Sequence, residues 1–182
     1  MDGTSLRTAH TYELSPQART ALRALLDTAF DGEFDDEDWD HGLGGIHAWA
    51  ADASGPLAHG SVVQRRVAHH GVWYRVGYVE AVAVRADRRR EGLGGRVMAA
   101  LERVIEQAYD FGALGATDDG AALYRARGWR LWEGPAWACG PGGTGPLSDD
   151  EQGCTYLWPT AARPLPQPPE PLVFDWRGGD VL

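Results

Sequence analysis

Residues 79 to 104 join an apolar strand, a turn rich in arginine and glycine, and a long amphipathic helix. This order constrains the fold strongly, because it brings several backbone N–H groups together at a helix N-terminus. Those groups and the helix dipole favour an anionic ligand. Gly92 and Gly94 let the backbone approach such a ligand, since they have no Cβ. Arg89 and Arg90 can donate charge-assisted hydrogen bonds to phosphate oxygens. The segment therefore predicts a pyrophosphate-binding turn.

The spacing within this turn excludes two common phosphate-binding motifs. A Walker A loop requires Gly-x-x-x-x-Gly-Lys-Ser/Thr, and the chain contains no lysine. A dinucleotide fingerprint requires Gly-x-Gly-x-x-Gly with an acidic residue about twenty positions later, and the turn does not fit that pattern either. The alternative without a ligand is a solvated arginine cluster on an ordinary strand-to-helix loop.

The bulk composition predicts one globular domain over residues 1–182, in which 163–182 form a proline-rich linker and a tail. No apolar run approaches the ~20 residues that span a bilayer, and the N-terminus lacks the pattern of a secretory signal peptide. Cys139 and Cys154 are too few for a disulfide framework. We therefore expect a cytoplasmic protein.

The charge balance points to a cationic partner. The formal net charge is −9, which argues against nucleic acid and against an anionic membrane surface as partners. Such a charge would attract and concentrate a cationic small molecule. Residues 31–40 carry seven carboxylates in ten positions. By composition alone this run is either a solvated face or part of a site for a polyamine.

Hydrophobic periodicity predicts a mixed α/β (α+β) architecture. The predicted strands are residues 6–14, 45–52, 57–69, 72–85, 111–116, 129–139 and 153–158. We expect the strands at 45–52, 57–69 and 72–85 to form an antiparallel meander, and residues 140–146 to form a loop. The predicted helices begin at Ser15-Pro16, after the arginine-rich turn, and at an N-cap supplied by Asp118 or Asp119.

The turn and its flanking elements resemble motif A of the GNAT acetyltransferases. The residues that carry the resemblance are Arg89-x-x-Gly92-x-Gly94, preceded by the strand residues Val82-x-Val84. It implies the GNAT fold, with a mostly antiparallel mixed sheet, a splayed parallel strand pair and helices on both faces. It also implies acetyl-CoA as acetyl donor, with no metal. The coenzyme A contacts that it implies are Val82, Ala83, Val84, Arg89, Arg90, Glu91, Gly92, Leu93 and Gly94.

Two residues are candidates for acid–base chemistry in such a transfer. Glu80 lies in an otherwise apolar strand, where a carboxylate is costly unless it is paired, hydrated or functional. It is the candidate base, and the alternative is a structural carboxylate satisfied by an arginine or by Tyr78. Tyr124 occupies the tyrosine of a family motif, Leu123-Tyr124-x-x-x-Gly128-Trp129. It is the candidate acid at the thioester sulfur, and the alternative is a half-buried aromatic residue.

Further strings resemble the aminoglycoside 2′-N-acetyltransferases within this superfamily, from about residue 6 to the end of the chain. They are Asp38-Trp39-Asp40-His41-x-Leu43-Gly44-Gly45-x-His47, residues 77–85, residues 123–129 and Asp175-Trp176-Arg177-x-Gly179-Asp180-Val181. The resemblance implies a cytosolic homodimer that acetylates the 2′-amine of a cationic aminoglycoside or amino sugar. The acceptor contacts that it implies are Glu33, Asp38, Glu80, Ala81, Gly115, Asp150, Glu151, Asp180 and Leu182 with its carboxylate.

Two other functions remain open from the sequence. One is acetyl transfer to a different amine, such as a cell-wall amino sugar, a polyamine or a protein amine. The other is a non-catalytic module that senses acyl-CoA. The second needs neither Glu80 nor Tyr124, so their presence together favours an enzyme. The family can have a serine-rich turn at Gly115, where this chain offers only backbone, and Thr117 is the nearest hydroxyl that could replace that contact.

Overall fold

A computed structural model describes residues 3–182 of the chain. These residues form two compact units. Unit 1 comprises the residues up to Val63 together with Val79–Arg103, and unit 2 comprises Gln64–Tyr78 together with Val104–Leu182. The expectation of a single domain over residues 1–182 stays a prediction.

Unit 1 contains three helices and part of the sheet. Its elements are β1 (Ser5–His10), α1 (Pro16–Ala29), α2 (Asp36–Gly42), β2 (Ile46–Asp52), the first part of β3 (Gly55–His69), the second part of β4 (Val72–Val84) and most of α3 (Leu93–Ala108). β2 pairs antiparallel with β1, from Ser5↔Ala51 to His10↔Ile46, and antiparallel with β3.

Unit 2 contains the rest of β3 and β4 and the remaining elements. These are β5 (Phe111–Gly115), α4 (Asp118–Arg127), β6 (Arg130–Leu131), β7 (Ala136–Gly140), β8 (Gly143–Pro146), β9 (Thr155–Trp158) and β10 (Leu172–Asp175). β5 runs parallel to β4, and β10 runs parallel to β7. The other pairs here, β5–β9, β6–β9, β7–β8 and β10–β3, are antiparallel. The sheet is therefore mixed, as the sequence predicts.

The helices form where their caps and apolar faces predict them. Ser15 is the N-cap of α1, where its side chain accepts a hydrogen bond from the Ala18 N–H, and Pro16 occupies the first helical position. Leu22, Leu25 and Leu26 are the buried residues of that helix. In α3 the inward residues are Leu93, Val97, Met98, Leu101 and Ile105, all with at most 4% exposure. None of the described helices is long and apolar enough to cross a bilayer.

Four local predictions are wrong. The first strand ends at His10, because a short 3-10 turn over Thr11–Glu13 follows it. The N-cap of α4 is Thr117, whose hydroxyl accepts from the Gly120 N–H, and both predicted caps lie inside the helix. Residues 129–139 are two separate strands, and 140–146 lie in the β7–β8 hairpin instead of forming a loop.

The parallel pair β4–β5 has the short register that a splayed strand requires. It runs from Val76↔Phe111 to Tyr78↔Ala113. β4 continues beyond this register to Val84. Backbone groups of Val82–Val84 are therefore placed on the part of β4 that extends past its parallel partner.

Candidate active site

The second part of β4, in unit 1, carries the predicted base. Glu80 and Ala81 are partly buried, and Ala83 is buried. Ala81 has a φ of 50°, a left-handed conformation that costs an L-residue about 1–2 kcal/mol. Backbone strain of this size persists only where the surroundings hold it. The strand thus places Glu80 directly beside a strained residue.

The turn after β4 has the shape that a pyrophosphate site needs. Arg90 and Gly92 have positive φ values of 66° and 78°, and α3 begins at the next residue, Leu93. A Cβ built on Gly92 would meet no atom within 4 Å. The turn therefore leaves open space beside the first N–H groups of a 16-residue helix, which is the local environment that binds phosphate. The residues present fit the phosphates of coenzyme A.

Arg88 makes two ion pairs that stabilise this turn. Arg88 donates to Asp52 Oδ2 at 2.9 Å and to Glu91 Oε2 at 2.8 Å. Hydrogen bonds from Ser54, followed by the Arg88 pair, lower the pKa of Asp52. The Glu91 side chain is thus occupied by Arg88, so its backbone N–H is the group that it can offer to a phosphate. Arg89 and Arg90 remain exposed.

The acidic segment 31–40 forms a helix cap as well as a charged surface. Asp35 Oδ1 accepts from the Asp38 N–H at 2.9 Å, and Asp38 Oδ2 accepts from the Asp35 N–H at 3.0 Å. Asp36 pairs with Arg23 at 2.9 Å. Of the two predicted acceptor contacts, Glu33 is exposed, whereas Asp38 uses one carboxylate oxygen to cap α2. The segment is therefore largely a solvated face with a helix cap, and its part in a site for a cationic amine stays a prediction.

Unit 2 contains a pocket of about 750 Å³, a size typical of small-molecule sites. The predicted acceptor residues that line it are Gly115, Asp150, Glu151, Asp180 and Leu182. Asp118 contributes a further carboxylate to the lining and Arg125 contributes a cation. Three segments that are far apart in the sequence thus supply one acidic lining.

Glu151 holds the C-terminal tail in this pocket. Its Oε1 accepts from the Val181 N–H at 2.8 Å and from the Leu182 N–H at 3.3 Å. Its Oε2 accepts from the Ser148 hydroxyl at 2.9 Å. Burial acts to raise the pKa of Glu151, but these hydrogen bonds outweigh it and the pKa is lowered. Glu151 also lines the pocket, so its predicted contact with the acceptor stays a prediction beside this observed role in holding the tail.

Sequence reasoning missed Arg65, which fixes the same tail from the interior of unit 2. Arg65 has 4% exposure, donates to Asp175 Oδ1 at 2.8 Å and also donates to the Val181 carbonyl. Its guanidinium lies 4.9 Å from the ring centroid of Tyr78. The available signal was its position in β3, two residues before the buried Val67, because such spacing points a side chain inward.

Gly115 leaves room for the last residue of the tail. A Cβ at this position would lie 3.3 Å from the Leu182 carbonyl carbon and 3.3 Å from the Tyr78 hydroxyl. Both contacts are tighter than ordinary packing allows. Thr117 also lines the pocket. Its hydroxyl accepts the cap bond of α4, which uses one acceptor site and leaves its donor function, so its replacement of a side-chain contact at 115 stays a prediction.

Tyr124 lies on α4 in unit 2 and is 7% exposed. Its ring contacts Trp129 and Tyr156, with centroids 6.2 and 6.3 Å away. Burial raises the pKa of Tyr124 to about 12. The phenol therefore stays protonated at neutral pH, and it can act there as a hydrogen-bond donor.

Residues 13–132 match the family model described as the acetyltransferase (GNAT) domain. This match covers more than half of the chain and includes β4, the turn and α4. The chain belongs to the GNAT acetyltransferase family. Proteins of this family use acetyl-CoA as the acetyl donor, which the sequence predicts. Within residues 3–182, no group of three or more His, Cys, Asp and Glu side chains is arranged to hold a metal ion.

Known relatives resemble this acetyltransferase over most of its length. It is 41% identical over 178 residues to an aminoglycoside 2'-N-acetyltransferase of Mycolicibacterium fortuitum, covering 96% of this chain and 90% of that protein. A GNAT acetyltransferase of Staphylococcus aureus MU50 has the same fold, with a TM-score of 0.58 at 15% identity over 85% of this chain and 98% of that one. The predicted family and fold are thereby confirmed.

A longer solved protein shares the fold across part of its length. It is a probable N-acyltransferase from Enterococcus faecalis V583, with a TM-score of 0.57 at 17% identity. The match covers 70% of this chain, and this chain spans only 32% of that protein. At such identity the match bears on the fold alone.

Proposed function

We propose that this acetyltransferase transfers the acetyl group of acetyl-CoA to the 2′-amino group of aminoglycosides. The observation that carries the proposal is the acidic pocket of unit 2, lined by the carboxylates of Asp118, Asp150, Glu151 and Asp180. Aminoglycosides carry several ammonium groups, which carboxylates bind through charge-assisted hydrogen bonds. The relative from M. fortuitum, itself an aminoglycoside 2'-N-acetyltransferase, supports the same acceptor.

The carboxylates of the pocket would have two roles, binding the acceptor and holding the C-terminal tail in place. Asp150 and Asp180 are exposed and would bind ammonium groups of the acceptor. Glu151 would keep the tail, and with it Asp180 and Leu182, in place for that contact. We retain Glu33, Asp38 and the Ala81 backbone, all in unit 1, as predicted contacts of the acceptor. The net charge of −9 would concentrate the cation near the protein before binding.

The turn of unit 1 would hold the donor. The N–H groups at Glu91 to Gly94 and the exposed side chains of Arg89 and Arg90 would bind the phosphates. The backbone of Val82–Val84 would pair with the amide groups of the pantetheine arm. Bound in this way, acetyl-CoA supplies an activated thioester to the acceptor amine.

Glu80 would prepare the amine for attack. The acceptor amine is an ammonium ion at neutral pH, and it must lose a proton before its nitrogen can react. Glu80 would accept that proton through a water molecule. The amine nitrogen would then attack the thioester carbonyl carbon, so that a C–N bond forms while the C–S bond breaks. The second proton that the nitrogen loses as the amide forms would pass to the leaving thiolate and give the free thiol of coenzyme A.

Tyr124 would stabilise the leaving thiolate. The pKa of Tyr124 is about 12, whereas the pKa of a thiol is about 8.5. Complete proton transfer from this phenol to the thiolate is therefore unfavourable. A hydrogen bond from the hydroxyl to the sulfur would spread the developing negative charge without such a transfer.

We further infer the setting in which the enzyme works. Acetyl-CoA is a cytoplasmic metabolite, and Cys139 and Cys154 are free thiols, which favours a reducing compartment. Acetylation of the 2′-amine would remove one positive charge from the drug and so give resistance to it. We retain the homodimer as a prediction, to be checked by light scattering at micromolar concentration.

The acceptor assignment is tested by thiol release from acetyl-CoA in the presence of two closely related drugs. Kanamycin B has a 2′-amine, and kanamycin A has a 2′-hydroxyl at the same position. We expect turnover with kanamycin B only. Equal rates with both would contradict the 2′ position, and no turnover with either would favour another amine acceptor or an acyl-CoA sensor.

A further inference from the structure

A chain of hydrogen bonds crosses the interior of unit 1 and ends at the strand that carries Glu80. Thr11 Oγ1 lies 2.9 Å from His47 Nε2, and His47 Nδ1 lies 3.0 Å from His59 Nε2. His59 Nδ1 in turn lies 3.1 Å from the Ala81 carbonyl oxygen. The exposure of the two imidazoles is 0% and 1%. The reaction proposed above gives these side chains no role.

The Ala81 carbonyl oxygen, at one end of this chain of hydrogen bonds, sets the direction of every hydrogen bond in it. A carbonyl oxygen can only accept, so His59 Nδ1 must carry a proton and His59 Nε2 must accept. His47 Nδ1 must then donate to it, which leaves His47 Nε2 to accept from the Thr11 hydroxyl. The Thr11 oxygen accepts in turn from the Gly44 N–H at 2.9 Å. The Gly45 carbonyl receives the Thr11 N–H at 3.0 Å and also lies 3.2 Å from the Thr11 hydroxyl oxygen. It therefore competes with His47 for the hydroxyl proton, and His47 Nε2 is the nearer acceptor at 2.9 Å.

The imidazole rings of His47 and His59 are both neutral in this hydrogen-bond chain. Burial lowers the pKa of His47 to about 4, and the charge of His10 acts in the same direction. Burial also lowers the pKa of His59 to about 3, with a further contribution from His47 and an opposing one from its bond to Ala81. Two neutral rings in one tautomer satisfy all four ring nitrogens. A fully satisfied buried network of this kind rigidifies its surroundings.

Ala81 is held on two sides. Its carbonyl oxygen accepts a hydrogen bond from His59 Nδ1, and Ala81 packs against the hydrophobic cluster of Leu26, Phe34 and Ala83. Because its φ of 50° is unfavourable for alanine, the residue would relax toward extended geometry without these contacts. Such relaxation would turn the peptide groups on both sides of it, which belong to Glu80 and Val82.

We propose that His59 is a positioning residue for the reaction, and that the Thr11–His47–His59 chain fixes the left-handed Ala81 and thereby aims Glu80. The proposal rests on the proposed function, in which Glu80 is the base. It assigns no contact with substrate to either histidine. Their effect is on the orientation of the neighbouring strand.

The hydrogen-bond directions are tested by long-range 1H–15N correlation NMR of the whole protein, which needs no activity. We expect His47 and His59 to be Nδ1–H tautomers between pH 6 and 8. His10 is an internal control of the opposite kind, because its Nδ1 accepts from the Tyr12 N–H at 3.3 Å. An Nε2–H tautomer at His59 would overturn the proposal.

The effect on catalysis is tested with a matched pair of variants at Thr11, which lies at the end of the hydrogen-bond chain farthest from Ala81. Thr11→Val removes the hydroxyl at nearly constant shape, and Thr11→Ser keeps it. We expect Thr11→Val to lower kcat with kanamycin B by about threefold and to shift its pH profile, with KM for acetyl-CoA unchanged. Thr11→Ser should match the wild type in all of these. Identical kcat values and pH profiles for the two variants would show that the chain does not act on the strand.

A second pair acts directly at His59. Asparagine can place its amide N–H near the position of Nδ1, whereas leucine offers no donor. We expect His59→Leu to lower kcat by about tenfold or more, and His59→Asn to recover most of that loss. Equal kcat for the two variants would contradict the proposal. If His59→Leu does not fold, as judged by circular dichroism, the Thr11 pair decides.

If the proposed function is wrong, the results will differ from those expected if only the positioning role is wrong. Without the proposed function, the wild type would not acetylate kanamycin B, while the tautomers could still be observed. The backbone amide shifts of Glu80, Ala81 and Val82 then replace kcat as the measurement. We expect them to move in Thr11→Val and to stay in place in Thr11→Ser, and equal shifts in both variants would overturn the positioning role by itself.

Discussion

The turn of unit 1 and the pocket of unit 2 are built in opposite ways. The turn uses adjacent residues, Arg88 to Leu93, on one stretch of chain between a strand and a helix. The pocket is lined from residues 115–118, 148–156 and 180–182, together with parts of α4. A phosphate site can be local because it depends mainly on backbone N–H groups at one helix N-terminus. A site for a branched polycation needs carboxylates spread over several directions, which one segment cannot supply.

We propose a division in which the turn would bind the donor, the pocket would bind the acceptor and Glu80 would act as the base. The strongest way to break it is Glu80→Gln. We expect kcat with kanamycin B to fall by about 100-fold and its pH profile to change, because the proposed base is gone. Acetyl-CoA binding, measured by calorimetry, should stay within a factor of about two. An unchanged pH profile would remove Glu80 from the role of base.

The pocket is tested by removing Val181 and Leu182. We expect KM for kanamycin B to rise by about tenfold or more, since Glu151 loses its tail partners and Asp180 loses its support. KM for acetyl-CoA should change little. Leu182→Ala is the matched control, because it keeps both N–H groups on Glu151. A similar loss of affinity for the two ligands would indicate a folding defect instead.

The turn is tested by Gly92→Ala with Gly142→Ala as control. A methyl group has open space at both positions, but only Gly92 has a positive φ, of 78°. The strain of about 1–2 kcal/mol for alanine at such a φ should raise KM for acetyl-CoA by about tenfold and leave KM for kanamycin B unchanged. If Gly92→Ala matched Gly142→Ala in both KM values, the turn would not bind the donor.

The smallest expected effect concerns the charge of Glu151. Loss of its charge-assisted hydrogen bonds in Glu151→Gln should cost about 1 kcal/mol, which lowers Tm by about 2–4 °C at pH 7. The pKa of Glu151 is lowered in the folded state, so this stabilisation is present above its unfolded value of 4.5 and is lost as the pH falls below it.

Calorimetry of the wild type and of Glu151→Gln from pH 7 to pH 3 checks this sign. The two Tm values should converge at low pH. Glu133→Gln, at an exposed position, should show no such convergence. A constant difference down to pH 3 would mean that the tail does not depend on the charge of Glu151.

Elements with strong local signals were predictable from the sequence. Ser15 and Pro16 start α1 as the capping rules indicate, and Gly128 ends α4 in a left-handed conformation. One wrong prediction, the N-cap of α4, arose where neighbouring residues offered the same local signal. Thr117, Asp118 and Asp119 can all cap a helix, and only the path of the chain from β5 selects Thr117.

The roles of particular side chains were less predictable than the residues themselves. The sequence predicts Glu151 as an acceptor contact, and the structure places it in the pocket lining with the N–H group of a residue thirty positions later as a partner. Arg65 and His59 were not selected. Their partners lie 110 and 22 residues away, and no spacing rule connects such positions.

The sequence by itself therefore determined the family, the turn of unit 1 and the acidic character of the protein. These properties depend on neighbouring residues and on net charge, which do not change when the chain folds. Only the tertiary structure decided which carboxylates are open and which are occupied, and that a buried pair of histidines supports Ala81. The physical reason is that a hydrogen bond between distant residues exists only after folding brings a donor within about 3 Å of its acceptor.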